Sequence, residues 1–311
     1  MKVVVIGAGM VGSAVVGELL GQGGISEIAL LDINKEKAEG EVLDYSHTTS
    51  YNYNPSASLK IGEYNSCKGA DLIVMTAGPS IKEGETRRDL ARKNANITRS
   101  VMKEIVKYTK DAIIIPVSNP VDVVTYIAAK EFGYDRKKIV GTGTLVDSAR
   151  LMRFIGNKYN LDPKNIFAYI LGEHGATSFA PWSIANICGY SLEEFAKLRG
   201  FNIHLDKAGV EERVRKIGFE IWSKKGYTNH GIAAGVGRMV KAILLNERSI
   251  LPVSTLLEGE YGLEDVALSV PCVVGREGVE DIIELPLLEE EMDKIKYSAR
   301  SLKGIISDIK E

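Results

Sequence analysis

"KVVVIGAGMVG", from Lys2 to Gly12, decides the fold. The β-branched run reads as a short buried strand, and a glycine-rich turn leads from it straight into a helix expected from about Val11. Gly7 permits the tight turn, Gly9 lets the backbone approach a pyrophosphate, and Gly12 allows helix and strand to pack closely. Met10 and Val11 open the helix, whose unpaired N–H groups face the phosphates. The second strand, "EIALLD", ends at Asp32, ~20 residues after the last glycine, where a carboxylate can accept both ribose hydroxyls. A carboxylate there repels a 2'-phosphate, so NAD is expected rather than NADP. The alternative is a glycine-rich turn without a ligand, which leaves the order of strand, glycines, helix and acid unexplained.

Outward from this stretch, short Val/Ile runs alternate with helical periodicity. "SLKIG", "DLIVMTAG", "AIIIPVS" and "KIVGTG" extend the series to roughly six strands, with helices such as "RRDLARKNANITRSVMKEIVKYT" and "VDVVTYIAAKEFG" between the last three. After Gly143 the rhythm changes to long helices and an antiparallel pair, "ILPVSTLLEG" and "VALSVPCVVGREG", before a charged terminal helix. The expected class is α/β, a Rossmann-type doubly wound parallel sheet over residues 1–143, followed by an α+β substrate domain over residues 144–311. No flexible linker separates them, so rigid packing is expected.

At 311 residues and 45% hydrophobic content the chain can bury a large core, and a net charge of -2 points to no nucleic-acid partner. The opening strand carries no leader pattern and no long apolar run exists, so neither a signal peptide nor a membrane span is expected and the chain reads as cytoplasmic. Cys67, Cys188 and Cys272 are far apart and odd in number, which suits buried thiols rather than a metal site.

Of four histidines, His174 stands out. "AYILGEHGATS" runs from an apolar segment into a loop with Gly172 and Gly175 on either side, giving an imidazole little crowding and room for a substrate. Locally it reads either as a group that takes and returns a proton near neutral pH or as a structural histidine at a strand end. "TLVDSAR" sets Asp147 and Arg150 three apart on one helix face, either as an ion pair or with divided roles. In the second case Arg150 forks a carboxylate and Asp147 orients an imidazole. "VSNPVD" ends a strand at Asn119, placed to hold an amide or hydroxyl. "AGPSIKEGETRRDLARKN", Ala77 to Asn94, follows a strand with two glycines and paired arginines, as a closing loop would.

Together "GAGMVG", "LLD", "TAGP", "GETR", "VSNPVD", "GTGTLVDSAR", "LGEHG" and "KGYT" resemble the L-lactate and malate dehydrogenase family, from Lys2 to the terminal helix. The resemblance implies an NAD-dependent 2-hydroxy acid dehydrogenase. His174 would be the proton donor and acceptor, Asp147 its partner, Arg150 the carboxylate clamp, and Arg87 the loop residue that polarises the carbonyl. Asn119 would contact the substrate oxygen and Thr228 would line the side-chain pocket. Val11, Asp32, Lys37, Tyr64, Gly78, Ser100, Val117 and Thr142 match cofactor-contacting positions. Loop closure between Gly78 and Gly84 would exclude water and strengthen the Arg87 interaction. No metal is implied.

Departures from the family pattern narrow the substrate. Six residues before Arg87, lactate enzymes usually carry Gln and malate enzymes Arg; here Ile81 stands there. A second carboxylate against Ile81 would lose water without gaining a partner, at a cost of at least a few kcal/mol, whereas each buried methylene contributes ~1 kcal/mol. Pyruvate or a larger apolar 2-keto acid such as 2-ketoisocaproate is therefore expected, as in the similar hydroxyisocaproate dehydrogenase branch, with malate dehydrogenase as the rival. Ala176 replaces an Asp usual in lactate enzymes. Met152 and Phe167 replace the Arg and His seen in lactate enzymes activated by fructose 1,6-bisphosphate, so no such activation is expected. A metal-using NAD-dependent glycosidase lacks its Cys-His site here. A non-catalytic NAD-binding protein would have no use for Arg87, Asp147, Arg150 and His174 together. An apolar helix on the nucleotide domain and the resemblance suggest a homodimer or homotetramer, with a small 2-keto or 2-hydroxy acid as the other partner.

Overall fold

The computed structural model describes residues 1–52, 57–79, 84 and 86–310, without the side chains of Arg87 and Lys310. Ile81 lies outside the described residues, as does the Arg87 side chain.

Strand β1 (Lys2–Ile6) leads into α1 (Met10–Gln22), one residue earlier than expected, and then β2 (Glu27–Leu31) and α2 (Lys35–Thr48). β3 (Ser58–Ile61), β4 (Leu72–Met75), α3 (Arg87–Ile105), β5 (Ile113–Pro116) and α4 (Val121–Lys130) complete the first half. Among the described residues the sheet has the parallel order β3-β2-β1-β4-β5. Val3, Val4 and Val5 are fully buried, as are Ile28 to Leu30 and Leu72 to Val74. Helices cover both faces, which is why these strands read as unbroken apolar runs rather than alternating ones.

The expected sixth strand, "KIVGTG", is reduced to a single parallel bridge from Ile139 to Ile114. Its backbone still bonds that edge through Val140 N–H to Ile114 O and Thr142 N–H to Pro116 O. The segment then turns away because Gly141 pairs antiparallel with Ser254. A Cβ on Gly141 would stand 2.2 Å from Thr125 Oγ1 and 3.0 Å from the Ser254 Cβ, so the packing between these two residues leaves room only for glycine.

The second half contains α5 (Leu145–Tyr159), β6 (Ile166–Phe167), β7 (Asn186–Ile187), β8 (Tyr190–Ser191), α6 (Leu192–Leu198), α7 (Lys207–Lys225) and α8 (His230–Leu244). β9 (Ser249–Glu258), β10 (Glu264–Gly275), β11 (Gly278–Ile282) and α9 (Glu289–Lys310) follow. β9 and β10 form the expected antiparallel pair, to which β11 adds a third strand; β6, β7 and β8 make a small sheet of their own. The apolar segment before His174 is no strand; it holds its place through isolated bridges, Leu171 to Phe179 and Gly172 to Ser269.

One continuous core joins the parallel sheet to α8, β9, β10 and α9, and a smaller cluster around Leu151, Ile155 and Val214 fills the rest. Cys67 and Cys272 are buried as expected, and burial pushes the Cys67 thiol up to about 11. Cys188 is exposed instead, in a turn where its φ is 53°. No helix of the described residues is long and apolar enough to cross a membrane.

Candidate active site

The order of the parallel sheet reverses between β1 and β4, and ligands of open α/β sheets bind beside the strand ends at that point. A cleft of about 860 Å3 opens there, lined by Gly7, Gly9, Asp32, Lys37, Tyr64, Gly78 and Ser100 among others. The glycines serve distinct needs. Gly7 has φ 109°, and a Cβ on Gly12 would lie 1.8 Å from the Gly7 carbonyl oxygen, so helix and turn meet only through glycine. A Cβ on Gly9 would meet nothing within 4 Å, leaving open space at the start of α1 for a phosphate. Asp32 is held by the same turn: Ala8 N–H donates to Oδ2 at 2.6 Å and Asn34 N–H to Oδ1 at 2.8 Å. This cradle fits a dinucleotide: the open start of α1 suits a diphosphate and the Asp32 carboxylate suits ribose hydroxyls.

Other expected cofactor residues lie around the cleft without lining it. Met10 is exposed at the head of α1, and Val11 packs partly against the core. Val117 and Thr142 are buried, at the end of β5 and in the bridged segment beside it. Asn119 is exposed in the turn before α4, and its carbonyl accepts from the Asn94 side-chain amide at 2.5 Å. Gly78 has φ 148°, and a Cβ there would meet Asn94 Oδ1 at 2.5 Å.

α5 carries the centre of the second cluster. Asp147 is 7% exposed at its side chain, and its two oxygens face two partners: Oδ2 meets His174 Nδ1 at 2.5 Å and Oδ1 accepts from Arg150 Nη1 at 2.7 Å. One carboxylate thus bridges the imidazole and the guanidinium, so the two readings of "TLVDSAR", ion pair and divided roles, describe the same geometry. His174 Nε2 makes no hydrogen bond among the described residues. It remains available to a substrate oxygen, as do the Arg150 nitrogens that Asp147 does not engage.

The electrostatics follow from this bridge. Burial by itself would raise the Asp147 carboxyl, but the charges of His174 and Arg150 overcome it and hold the group below the usual carboxylate range. Burial likewise works against a charged His174, yet Asp147, with Asp122 further off, raises it above the ordinary histidine value despite Arg150. Such an imidazole can stay protonated near neutral pH and give up its proton when needed.

Thr228 stands partly buried in the turn between Gly226, which closes α7 with φ 86°, and Asn229, the N-cap of α8. The start of α8 lies against α5: a Cβ on Gly231 would touch Val146 at 3.6 Å. Arg87 is the first residue of α3, which a capping box between Thr86 and Asp89 initiates. Asp122 and Ser298, which grip the His174 loop, and Ser254, whose hydroxyl bonds Asp122, escaped the sequence reading. An aspartate inside the apolar run "VDVV" was the one available signal.

A parallel sheet whose cleft suits a dinucleotide, together with an Asp-bridged histidine and arginine in the second half of the chain, defines an oxidoreductase-type site. The model of the lactate/malate dehydrogenase NAD binding domain matches residues 1–141, and that of the family's alpha/beta C-terminal domain matches residues 144–311. L-lactate dehydrogenase 2 of Clostridium acetobutylicum is 50% identical over 310 residues, 99% of this chain and 97% of that protein. The L-lactate dehydrogenase of Selenomonas ruminantium is 43% identical over 98% of this chain and 96% of its own. The crystal structure of a minor L-lactate dehydrogenase from Enterococcus mundtii superposes with a TM-score of 0.94 at 37% identity, covering 98% of this chain and 97% of that one. The chain belongs to the lactate/malate dehydrogenase family.

Proposed function

We propose that this protein is an NAD-dependent L-2-hydroxy acid dehydrogenase of the L-lactate dehydrogenase type, interconverting a 2-keto acid and its L-2-hydroxy acid. The observation that carries the proposal is the Asp147 bridge, 2.5 Å to His174 and 2.7 Å to Arg150, in a chain whose glycine-lined cleft suits a dinucleotide. Residues 1–143 serve the cofactor and residues 144–311 the substrate.

In the reducing direction Arg150 holds the substrate carboxylate with the nitrogens left free by Asp147, which sets the keto oxygen toward His174 Nε2. NADH, when bound, supplies the hydride for the carbonyl carbon. His174 gives its Nε2 proton to the carbonyl oxygen, and Asp147 keeps Nδ1–H in place so that Nε2 is the nitrogen that reacts. Arg87 and Asn119 polarise the oxygen in this reading, and Thr228 borders the substrate side chain. In the oxidising direction the same Nε2, unprotonated, takes the hydroxyl proton.

Ile81 favours pyruvate or a larger apolar substrate. The malate alternative is not favoured, since the relatives compared above are L-lactate enzymes. The exposed Leu43 of α2 and the exposed Phe219 and Trp222 of α7, stacked at 5.6 Å, support a homo-oligomer. NADH oxidation with pyruvate, 2-ketoisocaproate, phenylpyruvate and oxaloacetate tests the assignment. Pyruvate or 2-ketoisocaproate is expected to have the highest kcat/KM, and Ile81→Arg to move preference toward oxaloacetate. Robust oxaloacetate reduction with negligible turnover of the others would overturn it.

A further inference from the structure

Two consecutive backbone N–H groups of the catalytic loop are taken by buried side chains from different helices. Glu173 N–H donates to Ser298 Oγ of α9 at 2.7 Å, and His174 N–H donates to Asp122 Oδ2 of α4 at 2.8 Å. Ser298 is wholly buried and Asp122 is 1% exposed. The other Asp122 oxygen accepts the Ser254 hydroxyl of β9 at 2.6 Å. The loop is thus tied directly to α9 at Glu173 and to α4 at His174, and through Asp122 to β9.

The chemistry of Asp122 is unusual for a tether. Among the described residues no lysine or arginine pairs with it, and it is held by neutral donors alone. A carboxylate desolvated in this way is expensive to keep charged, and burial pushes its pKa up to about 6. A neutral acceptor such as Asn could hold the same N–H at less cost. What Asn lacks is a negative charge 2.8 Å from the main chain of the residue that carries the imidazole. The charged groups acting on His174 are Asp147 and Arg150 from α5 and Asp122 from α4, with Glu173 of the same loop acting on Asp122. Arg150 opposes the imidazolium, whereas Asp122, like Asp147, favours it.

We propose that Asp122 is a positioning residue for the acid–base step: it fixes the main chain of His174 and provides a second negative charge that favours the protonated ring. The proposal deepens the dehydrogenase reading and rests on it for rates, but the state of the ring can be measured without turnover.

The test uses full-length, NADH-saturated protein labelled at histidine, with the His174 ring titrated by NMR and its signal assigned by its loss in His174→Ala. In Asp122→Asn, which keeps shape and an acceptor for the loop, the midpoint is expected to fall by about 1 pH unit, the scale of removing one nearby partly screened charge. Ser298→Ala, which loosens the loop without altering charge, should lower kcat several-fold at an unchanged midpoint. Asp122→Glu, with the charge kept but displaced, should retain the raised midpoint and lose rate. NADH affinity should hold in all three. An unshifted ring in Asp122→Asn, or an equal shift in Ser298→Ala, would overturn the proposal. Absence of 2-keto acid reduction by the unmodified protein would instead refute the dehydrogenase reading, with the titration still deciding the role of Asp122.

Discussion

Replacing Asp147 by Asn should move the pH dependence of both reaction directions to lower pH. In the native site a 7%-exposed carboxylate lies 2.5 Å from His174 Nδ1, so the protonated ring is held by a buried, charge-assisted Nδ1–H bond that the neutral ring, which keeps Nδ1–H but carries no positive charge, makes more weakly. Such bonds contribute about 1.5–3 kcal/mol, and 1.36 kcal/mol corresponds to one pH unit, so losing the charge should lower the His174 midpoint by about 1–2 units. Reduction requires the protonated ring and oxidation the neutral one. The kcat/KM for pyruvate reduction therefore declines as pH rises through the midpoint, and that for L-lactate oxidation climbs through it. Both midpoints should fall together in the variant, and each unit lost lowers reduction about tenfold at a fixed pH above the midpoint. Asn can also present its amide to Nδ1 and select the wrong tautomer, so a further loss of rate at every pH is expected. The assay is kcat/KM against pH in both directions, with NADH binding as the control. A profile that loses height without moving would show that the raised value of His174 does not come from Asp147, and the electrostatic argument would fail.

Four other outcomes follow from the same structure. Asp122→Asn should stabilise the protein at pH 8 by up to about 3 kcal/mol while slowing it, because the buried carboxyl rises from about 3.9 when unfolded to about 6 in the fold. The folded state then binds the extra proton, so the contribution of this group is fully present below pH 4 and is lost as pH rises through 6; chemical denaturation at pH 4 and pH 8 checks this, and an equal effect of the substitution at both would refute it. Arg150→Lys should raise KM for pyruvate about 100-fold, a loss of about 3 kcal/mol, since an ammonium cannot fork the carboxylate while also bonding Asp147; a changed NADH affinity with native KM would contradict it. Gly12→Ala should abolish NADH binding or folding, because its methyl would overlap the Gly7 carbonyl at 1.8 Å, and fluorescence titration that finds native affinity would be decisive against the turn geometry. Fructose 1,6-bisphosphate should leave KM unchanged in initial-rate assays: Phe167, 42% exposed and edge-on to Tyr169 at 4.9 Å, offers no cation to a phosphate.

The sequence by itself determined the parallel sheet, its glycine turn and the second half of helices and antiparallel strands. These rest on local signals: β-branched runs, glycines where a Cβ cannot fit, and the three-residue spacing that puts Asp147 and Arg150 on one helix face. His174 was also legible, through its flanking glycines and the ordered motifs. Tertiary structure decided what lies between distant segments. "KIVGTG" shrinks to one bridge because Gly141 meets Ser254, over a hundred residues away, and no local propensity reports such a contact. That one Asp147 carboxylate serves both His174 and Arg150 depends on how α5 meets the 172–177 loop. Asp122 is the clearest case: in sequence it is a polar residue in an apolar helix, and only folding desolvates it and brings the His174 N–H and the Ser254 hydroxyl to its two oxygens. Local residues set which elements form, while the charge state of His174 depends on burial and on charges drawn together from separate elements.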